Sequence, residues 1–478
     1  MAIDTGRTEK SGTQPTSTGT KRAIPLALAF SFAAGLPAAD GATPSQATRQ
    51  PSRTLALAVA KEMPVTTSVF NCADSGPGSL RSAIDGATDG ATIDLTQLNC
   101  SVITLTSGPL TVNANNLTLS GPGPAALNLF GSGSYRVLNH FGTGLLTVQS
   151  LMITSGHDTF GGRGGCIYSA SNVRLTDTYF GGCEVSGSTF FNSSIRGGGA
   201  VFAMGNMTVE RSQIQANYVH IVGYRGAGGG LFAWGDLTVH DSLVSGNILL
   251  AKNSAAYGAG LAAKGNVEIT ASTVSFNVIG LTGDTAFAGG IDVLDYYGTA
   301  SATITNSTIS HNYSSDRVGG VLSAAPIVVR NSTIAFNKAS IASHNGIAYA
   351  AGLFVYSGAA TLQSTIIANN TFSGNLYDFS LYKATVSGSN NLIMGSLVSP
   401  SGTLTKDPLL AALADNGGPW PTHALAAGSP AIASGNNAAG LVNDQRGPGY
   451  ARSFAHKTDI GAFQSGDSIF NSGLDPPQ

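Results

Sequence analysis

Short runs of alternating polar and apolar residues return about every thirty residues through the middle of the chain. A two-residue period indicates a β-strand with one buried face and argues against a helix. In six successive segments the run follows a pair of small residues and precedes a Ser or Thr, an apolar residue, two further residues and an asparagine. These asparagines are Asn217, Asn247, Asn277, Asn312, Asn337 and Asn369.

The opening glycines give the length of the repeat. The last glycine of each pair is Gly199, Gly230, Gly260, Gly290, Gly320 or Gly352, at intervals of 31, 30, 30, 30 and 32 residues. A seventh copy begins at Gly165 and has Cys183 where the others have asparagine. Strands this short bury a face only by stacking on the next coil. We therefore predict an all-β fold, a single-stranded right-handed parallel β-helix over residues 69–399, because parallel crossovers favour the right hand.

The ends of such a solenoid need caps, because unpaired strand groups are exposed there. In the segment 76–90, Ser79 is predicted to cap a helix that carries Leu80, Ala83 and Ile84 on one face. After the last coil the period stops, and residues 400–464, rich in Pro, Gly and Ala, are predicted to form an irregular C-terminal cap before a tail at 465–478. The asparagine column is predicted to be structural, since stacked asparagines hydrogen-bond to one another and tolerate a left-handed backbone.

The N-terminal region has the layout of a secretory signal. Lys21 and Arg22 precede an apolar run from Ala23 to Ala34, and small residues follow, so residues 1–42 are predicted to direct export. About twelve apolar residues are too few to span a bilayer. Residues 43–68 are predicted to be a linker, and no later apolar run is long enough for a transmembrane segment. We expect a protein that is secreted or held at a bacterial cell surface.

Composition and cysteine usage agree with export. The chain of 478 residues has 62 glycines, 10 % charged residues and a net charge of −2. This profile argues against a disordered chain and against a nucleic-acid partner. Four cysteines allow three pairings, of which Cys72 with Cys100 and Cys166 with Cys183 close the shortest loops. Neither the cysteines nor the histidines have the spacing of metal ligands, so we expect no metal and no cofactor.

Both ends of the repeat region resemble known families. The segment NCADSGPGSLRSAIDGATDGATIDL resembles the CSLREA-type N-terminal region of bacterial β-helix proteins, with Ser82 where Glu is usual. The segment DPLLAALADNGGPWPTHALAAGSPAIASG, followed by NDQRGPG and DIGAF, resembles the choice-of-anchor Q domain. The repeats are similar to those of polymorphic outer-membrane proteins. These resemblances imply a secreted or surface-exposed β-helix and imply no reaction.

Motifs of catalytic chemistry are absent from the sequence, which has no adjacent Asp-Asp pair, no G-x-S-x-G and no H-E-x-x-H. One column of side chains is a candidate binding surface. Three residues before each last opening glycine, successive coils carry Arg196, Ala227, Tyr257, Phe287, Arg317 and Tyr349. Aromatic rings and guanidinium groups are suited to sugars and carboxylates, so Tyr257, Phe287, Arg317 and Tyr349 are predicted to bind substrate. The alternative is that these side chains only shield a turn.

A second candidate is an insertion in the coil between Gly290 and Asn312, which is longer than its neighbours. It contains Asp292, Asp295, Tyr296 and Tyr297, and His311, Asp316 and Arg317 follow it. If the protein is an enzyme, Asp292, Asp295 and His311 are the predicted catalytic residues, as acid and base. The alternative is a solvated loop.

Three functions are consistent with these observations. The first is a monomeric, adhesin-like β-helix that binds polysaccharides or cell-surface glycans without catalysis. The second is an extracellular polysaccharide lyase or glycoside hydrolase acting in the lateral groove of the solenoid. The third is a structural module with no ligand. The fold alone does not distinguish them.

Overall fold

The described part of the chain is a parallel β-solenoid of about ten turns with almost no helix. A computed structural model describes residues 65–187, 195–282, 285–295, 298–340, 343–344 and 347–468. The predicted signal region 1–42 lies outside these residues. Each regular coil contributes two short strands to one large sheet and one strand to each of two further sheets.

Within the described residues the large sheet has twenty strands. In chain order they are Thr66–Ser68, Ala91–Asp94, Leu110–Val112, Leu117–Ser120, Leu138–His140, Leu145–Gln149, Ile167–Ser169, Asn172–Thr176, Val201–Ala203, Met207–Glu210, Leu231–Ala233, Leu237–His240, Leu261–Ala263, Val267–Thr270, Ile291–Val293, Ala302–Thr305, Val321–Ser323, Ile327–Arg330, Leu353–Gln363 and Phe379–Ser389.

Two smaller parallel sheets complete the coils in the part of the chain that is described. The eleven-stranded sheet consists of Val102–Thr104, Asn128–Phe130, Met152–Thr154, Tyr179–Gly181, Gln213–Gln215, Leu243–Ser245, Thr273–Ser275, Thr308–Ser310, Thr333–Ala335, Ile366–Ala368 and Leu392–Ile393. The nine-stranded sheet consists of His157–Asp158, Glu184–Gly187, Tyr218–Val222, Ile248–Lys252, Val278–Thr282, Tyr313–Ser314, Lys338–Ala339, Thr371–Phe372 and, antiparallel at its end, Asn375–Leu376.

The remaining elements are short. Arg196–Gly197, Gly226–Ala227 and Ala256–Tyr257 form a three-stranded sheet beside the nine-stranded one. Two antiparallel pairs join Ser343–His344 to Ile347–Ala348 and Leu410–Ala414 to Thr422–Leu425. An α-helix spans Leu80–Asp85, and a 3-10 helix spans Ser465–Ser468.

The core lies inside the coils and is formed by like residues in register. Val209 pairs with Val239, and Val239 pairs with Ile269. All three side chains are fully buried. The coils shown place an apolar residue directly above an apolar residue of the neighbouring coil. A strand therefore buries its inner face only when the coils are stacked. The predicted parallel β-helix is confirmed.

A ladder of asparagines runs beside this core. The side-chain oxygen of Asn277 accepts from the backbone amide of Asn247 at 3.0 Å, and its Nδ2 donates to Asn312 at 2.9 Å. The ladder begins at Cys183, whose amide donates to Asn217, as the repeat predicted. Its last asparagine is Asn370 and not the predicted Asn369, which has a positive φ of 60° and takes the turn position before it. The sequence Asn369-Asn370 offers two asparagines, and the strand pairing selects the second.

The N-terminal end agrees with the predicted helical cap. Ser79 accepts a hydrogen bond from the amide of Ser82, and Leu80 and Ile84 are buried against the first coils. The strand Thr66–Ser68 pairs with Ala91–Asp94, so the end of the segment predicted to be a linker belongs to the sheet. All three residues of this strand are polar, so it shows no alternation of polar and apolar residues and has no strand signal in the sequence.

Both predicted disulfides are present. Cys72 and Cys100 are joined with a Cα–Cα distance of 6.4 Å, and Cys166 and Cys183 with 5.3 Å. The second bond connects the opening of a coil to the position where the asparagine ladder starts.

The segment 400–464 lies along the side of the solenoid as well as against its last coil. The carbonyl of Pro421 accepts from Thr273 Oγ1 at 2.8 Å, and Gln445 Nε2 donates to the same hydroxyl at 2.7 Å. Nearer the end of the stack, Asn331 Nδ2 donates to the carbonyl of Asn436 at 3.0 Å. The expectation of a simple end cap was therefore incomplete, since this segment also covers the eleven-stranded sheet.

Candidate functional site

The predicted aromatic column exists as a stack on the side of the solenoid. The rings of Tyr257 and Phe287 are stacked with centroids 4.7 Å apart and an interplanar angle of 11°. The guanidinium carbon of Arg317 lies 4.5 Å from the centroid of Phe287 and 5.0 Å from that of Tyr349. The four side chains thus form one continuous column over four coils, which we call the aromatic column.

The predicted start of the column is wrong by one residue. Arg196 pairs with Gly226, whereas Gly197 pairs with Ala227 and Ala227 pairs with Tyr257. The three consecutive glycines that precede Ala200 make the alignment ambiguous, because Gly199 fits the repeat at the position that Ala200 occupies in the structure. The column therefore continues upstream through two small residues.

A second row of side chains forms the floor beside the aromatic column. These residues occupy the middle position of successive strands of the twenty-stranded sheet and are in register with one another. In chain order they are Phe202, Phe232, Ala262, Asp292, Leu322 and Phe354. Three coils thus place a smaller side chain where the flanking coils place phenylalanine, and this leaves space between floor and column.

That space is a cavity of about 180 Å³. Its wall includes all four residues of the aromatic column, and its floor includes Asp292. The other lining residues are Leu294, Leu322, Ala324, Phe354 and Tyr356. The lining is apolar with a few polar groups, which is typical of sites for small organic ligands. We call it the groove cavity.

Asp292 is the unusual member of the floor. Its side chain is fully buried, and neither carboxyl oxygen has a hydrogen-bond partner among the described residues. Burial raises the pKa of Asp292 well above its ordinary value. The carboxyl therefore keeps its proton at pH values where an exposed aspartate has lost it.

Arg317 supplies the positive charge at the cavity. Its Nε lies 3.5 Å from Oδ2 of the neighbouring Asp316, and both side chains are largely buried. Since the guanidinium is held between Phe287 and Tyr349, its position is set by ring contacts on two sides. The remaining N–H groups are suited to an oxygen-rich ligand.

The other two predicted catalytic residues lie elsewhere. Oδ1 of Asp295 accepts hydrogen bonds from the amides of Thr299 and Ala300 at 3.0 and 3.3 Å, which shapes its own loop. His311 follows a strand of the eleven-stranded sheet and stacks on Phe336 with centroids 5.3 Å apart. The predicted cluster is therefore divided, and only Asp292 and Arg317 share the groove cavity. Tyr296 and Tyr297 lie outside the described residues.

Two rings of the column, those of Tyr257 and Phe287, stack face to face. Because they are stacked, each ring has one face covered by the other. Exposed aromatic surface lies at the mouth instead, where Tyr356 and Tyr382 are 40 % and 43 % exposed with centroids 5.1 Å apart.

Sequence reasoning missed the floor and the mouth of the cavity. Phe354 and Tyr356 lie on the strand Leu353–Gln363, and the repeat pattern by itself does not mark them as neighbours of the aromatic column. The signal was available: with the middle positions of the strands aligned, Asp292 is the one acidic residue in a row of Phe, Ala and Leu.

Within the described residues, no helix is long and apolar enough to cross a membrane. No group of three or more His, Cys, Asp or Glu residues in that part of the chain is arranged to hold a metal ion.

Comparison with known proteins gives a similarity of fold. No family model matches the chain, and no curated protein matches it. Among solved structures, the crystal structure of pectate lyase Pel9A is similar, with a TM-score of 0.44 and 14 % sequence identity, over 84 % of this chain and 97 % of that chain. At that TM-score the similarity supports no argument about the activity of this chain.

Proposed function

We propose that this protein is an extracellular β-helix that binds a glycan at the groove cavity, without catalysis. The observation that carries the proposal is the cavity itself, in which Asp292 and Arg317 lie within a lining of aromatic and aliphatic side chains. A sugar ring presents both C–H surface and hydroxyl groups. The exposed ring of Tyr356 and the aliphatic carbons of the lining suit the first, and a guanidinium and a protonated carboxyl suit the second.

The compartment in the proposal is supported by the disulfides. All four cysteines are paired. Such bonds persist in oxidising surroundings and are rare in the cytosol. The secretory layout of residues 1–42 and the resemblance to surface-exposed β-helix proteins point the same way. A role in adhesion and a monomeric state belong to this proposal.

Retention on immobilised polysaccharides tests the proposal. The wild type is compared with Arg317→Gln, which removes the charge, and Tyr356→Ala, which removes exposed ring surface at the mouth. The matched controls are Arg174→Gln and Tyr313→Ala, because both side chains are exposed on other parts of the surface. Each site variant should weaken binding by about 1 kcal/mol or more, in the range of contact residues, while the controls bind like the wild type.

Absence of retention on every glycan of a panel of acidic and neutral polysaccharides would contradict the proposal. So would equal binding by all five proteins, since the groove cavity would then take no part. In either case the aromatic column would be turn packing alone.

A second candidate function is hydrolysis or eliminative cleavage of a polysaccharide, and Asp292 is the observation that favours it. A carboxyl that holds its proton inside a cavity has the property required of a general acid. Glycoside hydrolysis also needs a second carboxylate about 5–10 Å away, and the structure places Asp295 in a loop contact instead. Appearance of new reducing ends or unsaturated products, lost in Asp292→Asn, would establish this function over simple binding.

A further inference from the structure

A row of outward-facing residues runs beside the floor and reaches the groove cavity. These residues directly follow the strands whose middle positions form the floor, and the amide of each donates to the preceding coil. The amide of Trp234 donates to Ala203, that of Lys264 to Ala233, and that of Leu294 to Ala263. Because Leu294 lines the cavity, Lys264 lies one coil from the cavity wall, about 4.8 Å away along the solenoid.

The part of this row that lies farther from the cavity is positively charged. Nζ of Lys264 lies 3.2 Å from the centroid of the Trp234 ring. Arg163 pairs with Gly197 and so lies in the coil before that of Met204. Its side chain reaches that next coil, with the guanidinium carbon 5.3 Å from the centroid of Phe202 and Nη1 3.9 Å from the sulfur of Met204. Trp234 and Arg163 are half-buried. We use the name cationic strip for four residues, Arg163, Arg225, Trp234 and Lys264. Of these, Arg225 is exposed.

The positive charges of Arg163 and Arg225 both act on Lys264. Lys264 is 9 % exposed. Burial lowers its pKa, and the charges of Arg225 and Arg163 lower it further. The neighbouring carboxylate of Asp158 is already engaged, since Arg136 lies 2.7 Å from its Oδ2 and the backbone amide of Arg163 donates to the same oxygen at 2.8 Å. The charges of Arg225 and Arg163 therefore make the surroundings of Lys264 locally positive.

Resting on the proposed function, we propose that the cationic strip is a second subsite that binds the acidic groups of the glycan, so the ligand is an anionic polysaccharide. One sugar of the bound polysaccharide occupies the groove cavity. A carboxylate or sulfate on a neighbouring sugar contacts Arg225 and Lys264. The strip and the cavity lie on one continuous face, about two coils or roughly 10 Å apart from Trp234 to Asp292. The ring of Trp234 adds apolar surface beside the charges.

A glycan fits this strip better than a nucleic acid does. Nucleic-acid binding needs cations that follow a phosphate backbone over a long path. Here the strip has three cations in a chain whose net charge is −2, and the floor ends in a cavity that contains a buried carboxyl. Binding of single-stranded DNA is therefore an outcome that would count against the proposal.

The test compares a uronic-acid homopolymer, the same polymer with its carboxyl groups reduced to alcohols, a sulfated dextran and a single-stranded DNA. Affinities are measured by calorimetry for the wild type and for Lys264→Met and Arg225→Gln, with Arg174→Gln as the matched control. Lys264→Met keeps the aliphatic length over Trp234, and the exposed Arg225 is replaceable without loss of core packing. Circular dichroism verifies that each variant keeps the β-sheet spectrum.

We expect the wild type to prefer at least one acidic polymer over the reduced polymer by about tenfold or more. Each strip variant should lose most of that preference, and the preference should weaken as salt rises, since exposed charges are screened. The uronic-acid and sulfated polymers distinguish carboxylate from sulfate as the anion.

Equal binding of the acidic and reduced polymers would overturn this inference and leave the proposed function standing. Binding of no polymer would refute the proposed function and, with it, this inference. If the strip variants keep the full preference for acidic polymer, the charges that recognise it lie elsewhere, and the cationic strip is not the subsite. Preference for the DNA over every polysaccharide would also overturn it.

Discussion

Replacing Asp292 with asparagine should remove a pH dependence of stability that the buried carboxyl imposes. An aspartate in the unfolded chain loses its proton near pH 4, whereas burial raises the pKa of Asp292 in the folded protein well above that value. In the pH range between the two pKa values the folded state holds a proton that the unfolded state has released. The free energy of unfolding of the wild type therefore falls as pH rises through this range.

The size of this effect follows from proton linkage. Each pH unit between the two pKa values lowers the free energy of unfolding by about 1.4 kcal/mol. Below the unfolded value both states are protonated, and the stability contribution is fully present there. Asparagine does not titrate, so the difference in stability between wild type and Asp292→Asn should change by that amount per pH unit upward from about pH 4.

Urea denaturation followed by far-ultraviolet circular dichroism measures this difference at several pH values. Asp85→Asn is the matched control, because that side chain is exposed on the N-terminal helix. This control shows what the replacement of an exposed aspartate by asparagine does to the same curves. Infrared difference spectra of folded wild type and Asp292→Asn should show a protonated carboxyl only in the wild type. Parallel pH curves for Asp292→Asn and wild type would refute the reasoning and show that the carboxyl ionises in the cavity.

Three further predictions concern the scaffold. Replacing Cys166 and Cys183 together by alanine should lower the free energy of unfolding by about 3 kcal/mol, measured by urea denaturation, because a short loop is no longer closed in the unfolded chain; an unchanged midpoint would contradict this. Asn277→Ala should cost about 1–3 kcal/mol in the same assay, because a buried amide of Asn247 loses its acceptor; stability equal to that of wild type would show that the ladder is dispensable. Burial lowers the pKa of His423 to about 4, so acid favours the unfolded state, in which the imidazole binds a proton more readily. Hydrogen exchange of the segment 400–464, corrected for the intrinsic rate, should therefore become faster as pH falls from about 6.5 towards 4. Unaltered protection would argue against a neutral buried imidazole.

The repeat made most of the fold predictable. Strand alternation with a constant spacing requires stacking, whatever the sequence of each coil, and the two cysteine pairs followed from short loops. Local ambiguity explains the errors of one residue at Arg196 and Asn369. A run of glycines, or two adjacent asparagines, satisfies the pattern in either alignment, and only the pairing between neighbouring strands distinguishes them.

The groove cavity was predictable only in part. Side chains at one position of every coil meet in space, which is why Tyr257 and Arg317 were grouped correctly in the aromatic column. His311 and Arg317 are close in sequence, which suggested that they share a site. Between them the coil turns from one sheet to the next, so the two side chains lie on different parts of the solenoid. The packing of residues 400–464 along the solenoid had no periodic signal, since its hydrogen bonds join irregular backbone to single side chains such as Thr273.

Hydrogen exchange of the glycan complex tests the central claim, that the lateral groove binds a glycan. The wild type is saturated with the polysaccharide that retains it best, and amide protection is mapped by mass spectrometry. We expect added protection in peptides that contain Trp234, Lys264, Asp292 and Arg317, with no change in peptides of the segment 400–464. Protection confined to that segment or to the eleven-stranded sheet, with none at the groove, would contradict it.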